Sequence, residues 1–260
     1  MYAVCFLVAL FACVIGKICG MGGGVIIKPV LDALGIMSVA AINLVSGCTV
    51  IAMSCWSVGS SLMRRQSQID WKISTPLAIG AAIGGILGKT LFSAVAGLFA
   101  DKNAAGGVQA VLLFAATLGT LIYTMRKDRI PSRHVTAAPA CALIGLFLGM
   151  LGAFLGIGGG PFNMAVLFYF FSMKTKVAAQ NSLYVILISQ LTGLASQFLS
   201  GSLPAVSIPL LLGMAFFGVL GSEIGGRLNK KLSEKRATIL FEGAMVLVML
   251  ICMYNFQKLF

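Results

Sequence analysis

Hydrophobic positions along this chain do not alternate with polar ones but form long, almost uninterrupted stretches. Eight such stretches cover residues 1–15, 39–63, 73–88, 104–125, 135–157, 177–199, 206–220 and 237–255. Most of them approach or exceed the roughly 20 residues that a helix needs to cross the hydrocarbon core of a bilayer. The pattern therefore predicts an all-α integral membrane protein with several spans.

The composition supports this class and excludes two others. The 260 residues are 59% hydrophobic and 10% charged, whereas a soluble domain carries about 25% charged residues. Polar surface is therefore too scarce to coat a soluble globule. The net charge of +12 does not indicate a nucleic-acid partner, because the cations lie in short loops, where they set orientation in a membrane. The lipid bilayer is the expected partner.

Residue types that carry catalysis or bind metals are scarce. His134 is the only histidine, and the seven cysteines lie in apolar segments without a CxxC pair. Neither a zinc site nor a histidine-based triad can be assembled from this set. The sequence predicts no metal, no cofactor and no enzymatic activity.

Three short motifs occur twice, in the same order. Gly-Met-Gly-Gly-Gly at 20–24 recurs as Gly-Ile-Gly-Gly-Gly at 156–160, and Val-Ala-Ala-Ile-Asn at 39–43 recurs as Val-Ala-Ala-Gln-Asn at 177–181. The third motif has identical spacing in its two copies, Pro76, Gly80, Gly85, Gly88 and Pro209, Gly213, Gly218, Gly221. This ordered series indicates an internal duplication. It predicts three segments, which are a first membrane repeat (1–125), a basic cytoplasmic linker (126–134) and a second membrane repeat (135–260).

The lysine and arginine residues of the loops indicate that the two repeats have opposite orientations. The loop after the first Val-Ala-Ala motif contains Arg64, Arg65 and Lys72, whereas its counterpart at 201–207 has no charged residue. Placing the basic loops in the cytoplasm puts equivalent loops on opposite sides of the membrane. This arrangement is typical of inverted-topology repeats, and it leaves both termini outside.

Each repeat is predicted to begin with a hairpin that turns at its glycine cluster. Residues 1–36 must start and end outside, and 135–176 must start and end in the cytoplasm. The first arms have about 19 residues, while the second arms, 25–34 and 161–172, are only half to two-thirds as long. The second arms are therefore expected to start inside the membrane. Each repeat becomes a Gly-broken membrane hairpin plus three transmembrane helices.

Consecutive glycines at these turns predict a binding site. Irregular backbone persists at membrane depth only where protein or a water-filled cavity satisfies its polar groups. Each break leads into a helix whose first N–H groups and positive dipole end can bind an anion. The predicted anion-binding glycines are Gly22, Gly23, Gly24, Gly158, Gly159 and Gly160. Tight helix packing is the alternative role for glycine, and it is the role predicted for Gly80, Gly84, Gly88, Gly145 and Gly149.

Neutral polar side chains near the breaks extend the predicted site. They are Asn43, Ser46, Asn163, Gln180 and Asn181. Amides and hydroxyls can donate to an oxyanion and remain neutral when the site empties. The same side chains could instead form helix–helix hydrogen bonds, so both roles stay open.

Charged residues within the apolar segments have separate interpretations. Lys28, within about a turn of the first break, is included in the predicted substrate site, and Lys17 either contributes to it or extends to the membrane surface. Lys89 is expected to extend to the surface. Glu242 is the candidate for proton coupling, and Glu223 is expected to pair with Arg227.

With both motifs repeated over essentially its whole length, the chain resembles the sulfite exporter TauE/SafE family of membrane permeases. The resemblance rests on Gly22, Gly23, Gly24, Asn43, Gly158, Gly159, Gly160 and Asn181. It implies a carrier of small sulfur-containing anions such as sulfite, thiosulfate or organosulfonates in the plasma membrane of a prokaryote. The expected mechanism is alternating access. An anion channel that uses the same paired helix N-termini is the alternative, and an oligomer is compatible with the sequence.

Overall fold

A computed structural model describes residues 2–97, 102–157, 159–201 and 203–259. Over these residues the chain forms ten α-helices and no strand. They are α1 (Tyr2–Cys19), α2 (Gly24–Leu34), α3 (Val39–Met63), α4 (Trp71–Ala96), α5 (Lys102–Arg126), α6 (Ala138–Phe154), α7 (Pro161–Phe171), α8 (Thr175–Leu199), α9 (Ile208–Lys231) and α10 (Glu234–Leu259). The predicted all-α class is confirmed.

Seven of these helices are long and apolar enough to cross a membrane, namely α1, α3, α4, α5, α8, α9 and α10. The other three are short, with 11 residues in α2 and in α7 and 17 in α6. The helices α2 and α7 are the second arms of the two hairpins, and their bounds differ from the predicted 25–34 and 161–172 by one residue. The arm formed by α6 is shorter than the predicted 19 residues, because its helix starts at Ala138 and ends before the glycine break.

Apolar side chains cover the outside of the helix bundle, and polar ones are concentrated inside it. Leu7, Phe11, Ile83, Phe147 and Phe216 are all exposed. Thr49, Ser54, Asn181 and Ser182 are fully buried. This distribution is the one that a lipid solvent demands, since a polar group facing hydrocarbon would have no partner there. The chain is a multi-pass membrane protein.

Helices of one repeat pack most closely against helices of the other. The pair formed by α4 and α6 approaches through glycines, because a Cβ atom at Gly80 or Gly84 would collide with the backbone carbonyl of Ala142 or Leu146. Gly145 and Gly149 approach the backbone of α4 in the same way. The packing role predicted for these glycines is confirmed. In the equivalent pair, α1 packs against α9.

Helix directions follow from which residues meet. Rising residue numbers in α4 meet rising numbers in α6, so these helices run parallel, as do α1 and α9. In contrast, α3 and α8 are antiparallel. Gly47, near the start of α3, faces Gln190 toward the end of α8, while Gln68, beyond the end of α3, contacts Gln180 near the start of α8. These directions agree with the predicted inverted repeats.

Candidate functional site

The two glycine breaks interrupt the chain at matched points but with different backbone conformations. The first runs from Gly20 (φ +69°) through Gly22 (φ +71°) to Gly23, the residue before α2. The second contains Gly156 (φ +68°) and Gly159 (φ +151°), and Gly160 precedes Pro161, the first residue of α7. Positive φ values favour glycine because it has no Cβ. The predicted site residue Gly158 lies outside the described residues.

The breaks contact each other in the buried interior of the helix bundle. A Cβ atom placed on Gly24 would lie 3.2 Å from the carbonyl oxygen of Ile157. Gly22 and Gly159 both face the side chain of Ile186 on α8. The two short helices α2 and α7 therefore begin at adjacent points. This proximity is what an anion site built from both breaks requires.

Lys28 connects the first hairpin to the second. Its buried ammonium donates to the carbonyl oxygen of Leu155 at 3.1 Å and to Oε1 of Gln109 at 2.9 Å. The Gln109 amide in turn donates to the carbonyl of Phe154 at 2.6 Å. These carbonyls lie at the C-terminal end of α6, where helical partners run out. Lys28 and Gln109 therefore cap the broken helix.

Gln109 is a site residue that the sequence analysis did not select. It lies on α5, far along the chain from either glycine cluster, and its side chain is buried. An amide inside an apolar span was the available signal, because such residues rarely face lipid. The repeat comparison could not find it, since no motif covers α5.

A cavity of about 520 Å³ opens beside the second break. Its lining includes the predicted residues Asn43 and Ser46 together with Gly156, Gln109 and Lys89. Asn43 Oδ1 is buried, has no hydrogen-bond partner among the described residues, and would lie 3.3 Å from a Cβ atom on Gly156.

Lys89 turns toward α8 and donates to the carbonyl of Gly193 at 2.9 Å, rather than extending to the surface as predicted.

A smaller cavity of about 230 Å³ is lined by Lys17, Ser57, Gln180, Ser222 and Glu223, among others. Lys17 is buried and donates to the hydroxyl of Ser57. Gln180, a predicted site residue, accepts a hydrogen bond from the backbone of Gln68 at 2.9 Å. The side chains of this cavity are mostly polar.

The two cavities lie at opposite ends of the α3–α8 pair. The larger is lined by residues 40–51 of α3 and 189–200 of α8, and the smaller by 57–61 of α3 and by Lys176 and Gln180 of α8. Because α3 and α8 are antiparallel, these segments belong to opposite ends. The buried side chains of Val50, Met53 and Ile186 lie between them, at the level of the glycine breaks.

Asn181 has a structural role in this arrangement. Its Oδ1 accepts from the backbone N–H of Asp70 at 2.9 Å and from the hydroxyl of Ser74 at 2.5 Å. Its Nδ2 donates to the carbonyls of Gln68 at 3.0 Å and Val177 at 2.8 Å. Three of these four hydrogen bonds join α8 to the 68–74 segment and the fourth lies within α8, so the amide has no donor left for a substrate.

Asn163 is buried in α7, and its Oδ1 has no hydrogen-bond partner among the described residues. It lies next to the second break, since a Cβ atom on Gly159 would be 3.2 Å from its Nδ2. This predicted residue is therefore close to the glycines but is not among those that line the two cavities.

Glu242 lies in a different part of the molecule. It lines a third cavity of about 730 Å³ between α10 and the start of α8, together with Lys127, Thr175 and Thr238. Glu223 accepts from Arg227 and from Arg64, each at 2.9 Å. The predicted pairing with Arg227 is confirmed, and Arg64 of the loop after α3 joins it.

Comparisons with known proteins agree with this picture. A family model described as Sulfite exporter TauE/SafE matches residues 5–252. The chain is 24% identical to the probable membrane transporter protein YunE of Bacillus subtilis over all of its own length and 99% of that protein. It is 26% identical to a probable membrane transporter protein of Methanocaldococcus jannaschii, which covers 92% of this chain and 91% of that protein. No solved structure matches significantly.

Proposed function

Because this chain belongs to the sulfite exporter TauE/SafE family of membrane transporters, we propose that it moves small sulfur-containing anions across the plasma membrane of a prokaryote by alternating access. Members of this family and the matched relatives are transporters and not enzymes. The proposed substrates are sulfite, thiosulfate or an organosulfonate. The proposed topology has two inverted repeats with both termini outside.

One observation carries the mechanism. The two glycine breaks meet between two cavities that lie at opposite ends of the α3–α8 pair. Substrate sites of transporters built from inverted repeats lie where interrupted helices meet at the repeat interface. The starts of α2 and α7 would contribute backbone N–H groups and positive dipole ends to an anion at this point.

The buried layer between the cavities supports a carrier over a channel. Val50, Met53 and Ile186 are at most 1% exposed and separate the two cavities. A carrier needs such a barrier to move from one side of the substrate to the other, whereas a conducting channel needs a continuous wetted path. Alternating access would then consist of a movement of the α1–α9 pair relative to the α4–α6 pair around the glycine breaks.

The direct test is transport by the purified protein in proteoliposomes. We expect saturable uptake and counterflow of labelled sulfite, thiosulfate or an organosulfonate such as ethanesulfonate. Saturable exchange without electrical conductance would support the carrier, and conductance without counterflow would show that the channel alternative is correct. Failure of all three anions would refute the sulfur-anion assignment.

Two variants test the glycine breaks. Gly23→Leu and Gly159→Leu place side chains where Cys13 and Ile186 already lie, so each is expected to abolish transport. Gly119→Leu is the matched control, since Gly119 is an exposed helical glycine with open space around it. Membrane insertion and a monodisperse detergent profile identify variants that still fold. Normal flux in both folded variants would exclude the breaks from the mechanism.

A further inference from the structure

Each of the two cavities contains one lysine whose ammonium is turned inward onto a neutral partner. In the larger cavity, Lys89 of α4 donates to the carbonyl of Gly193. In the smaller cavity, Lys17 of α1 donates to the hydroxyl of Ser57. Neither lysine has a salt bridge to a described residue within 4.0 Å. Each ammonium is therefore hydrogen-bonded to a neutral group and not to a carboxylate.

The two lysines do not occupy equivalent positions of the repeat. The third repeated motif aligns Gly85 with Gly218, which places Lys89 opposite Ser222. The glycine clusters align Gly20 with Gly156, which places Lys17 opposite Ala153. The lysine comes from α4 in one cavity and from α1 in the other, which are helices that the duplication does not relate.

All four of these aligned positions line the cavities. Lys89 and Ala153 line the larger one, and Lys17 and Ser222 line the smaller one. The reason is the exchange of helices between repeats, since α4 packs against α6 and α1 packs against α9. The larger cavity therefore has Lys89 on α4 opposite the small residue Ala153 on α6. The smaller cavity has Lys17 on α1 opposite the small residue Ser222 on α9. The lysine of each pair is on α4 in the larger cavity and on α1 in the smaller one.

The charges around the lysines are consistent with an anion as the missing partner. Among the described residues that line the larger cavity, Lys89 is the only charged one, and its neighbours there include Ser46, Ser189 and Gln190. The smaller cavity is also lined by Arg64, Lys176 and Lys230 and by Glu223, a carboxylate that is paired with Arg64 and Arg227. A charge held without a counter-ion in a partly buried space attracts a small ion of opposite sign.

We propose that Lys89 and Lys17 are substrate-binding lysines, one for each face of the membrane, which bind the same oxyanion before and after it passes the glycine breaks. This proposal rests on the proposed transport function and adds residues that the glycine breaks do not supply. Each ammonium uses one of its three N–H donors on Gly193 or Ser57 and can donate the other two to the oxygens of a sulfur oxyanion. The serine and amide groups beside each lysine would satisfy the remaining oxygens.

The proposal predicts a defect that depends on the side from which substrate is added. Lys89→Gln should raise the KM for labelled sulfite about tenfold from the face of the 201–207 loop and leave the opposite face near its original value. Lys17→Gln should do the reverse. Uptake is measured in vesicles of defined orientation, and Lys72→Gln, at an exposed position outside both cavities, is the control. Equal changes on both faces would overturn the proposal.

A charge-relocation variant separates binding from folding. Lys89→Ser alone should show the raised KM, and adding Ala153→Lys to it should restore most of the affinity, because it rebuilds in the larger cavity the pair formed by Lys17 and Ser222. Lys89→Arg should retain more affinity than Lys89→Gln. A folded double variant whose KM stays at the value of Lys89→Ser would show that the lysine has only a structural role.

A binding measurement makes the outcome independent of transport. Acylation of individual lysines by a water-soluble reagent, quantified by mass spectrometry, should be slowed by thiosulfate at Lys89 and Lys17 and not at Lys72. Protection without transport would refute the proposed transport function and keep the two binding lysines. Transport without protection at either lysine would overturn the present inference and leave the transporter intact.

Discussion

Asn43 and Asn181 end the same repeated motif, and the structure gives them different tasks. Asn181 uses its oxygen and its amide nitrogen in four hydrogen bonds to the 68–74 segment and its own helix. Asn43 lines the larger cavity, and its Oδ1 has no partner among the described residues. Repeated residues therefore occupy equivalent places on their helices, but the surroundings decide whether they hold the fold or remain available to a ligand.

Asn181→Ala should have the largest effect on stability. The substitution removes the hydrogen-bond partner of the Ser74 hydroxyl, the Asp70 N–H and the Gln68 carbonyl. A polar group that is shielded from water costs about 1–3 kcal/mol when it is left unpaired. We expect a loss of about 4 kcal/mol in the free energy of unfolding. Reversible denaturation in mixed detergent micelles measures it.

Asn43→Ala is the paired control for that prediction. It should change stability by less than about 1 kcal/mol, since the Asn43 oxygen has no hydrogen bond to lose, while it reduces transport. If the two variants lost equal stability, the assignment of different roles to the two asparagines would be wrong.

The next largest effect is expected at the glycine contacts between the repeats. Gly80 and Gly213 are equivalent in the repeat, but a Cβ atom at Gly80 would meet the backbone of Ala142, whereas one at Gly213 would meet the ring of Phe6. Gly80→Ala should therefore destabilise the protein by about 2 kcal/mol. Gly213→Ala should cost less than about 1 kcal/mol, because a side chain can move and alanine favours the helix. Thermal unfolding in detergent distinguishes them, and the reverse order would contradict this difference between the two helix pairs.

The smallest effect on stability is expected from the ion pairs of Glu223. These pairs have no counterpart in the first repeat, because the residue aligned with Glu223 there is Thr90. The pairs with Arg64 and Arg227 lie at the surface, where such contacts contribute at most about 1 kcal/mol. Glu223→Gln should lower stability by about 0.5 kcal/mol, and the effect should shrink further at high salt. A loss of several kcal/mol that persists in 1 M salt would show that this cluster is a buried structural network.

Much of the fold was predictable from local pattern. The apolar stretches indicated the helices, and the glycine clusters located both breaks and the starts of α2 and α7 to within a residue. These features depend on residues that are close in the chain, so a single sequence contains the information. The role of the packing glycines was predictable for the same reason.

The candidate site was only partly predictable, because its members come from distant segments. Gln109 joins it from α5, and Lys89 turns inward because α8 presents the Gly193 carbonyl at that level. Asn181 was placed in the predicted site on the strength of the repeat, but its hydrogen bonds to the 68–74 segment depend on a contact between the two halves.

By itself, the sequence determined a membrane-embedded helical chain, its duplication and the two interruptions, since hydrophobicity and backbone freedom act locally. Only the tertiary structure decided which helices of one half pack against the other and what each polar side chain bonds to. It also decided that Lys89 and Lys17, whose equivalent positions in the other repeat are not lysines, line different cavities. The reason is that close packing and hydrogen bonding join residues from opposite halves, and the distances between such residues are set by the whole assembly of helices.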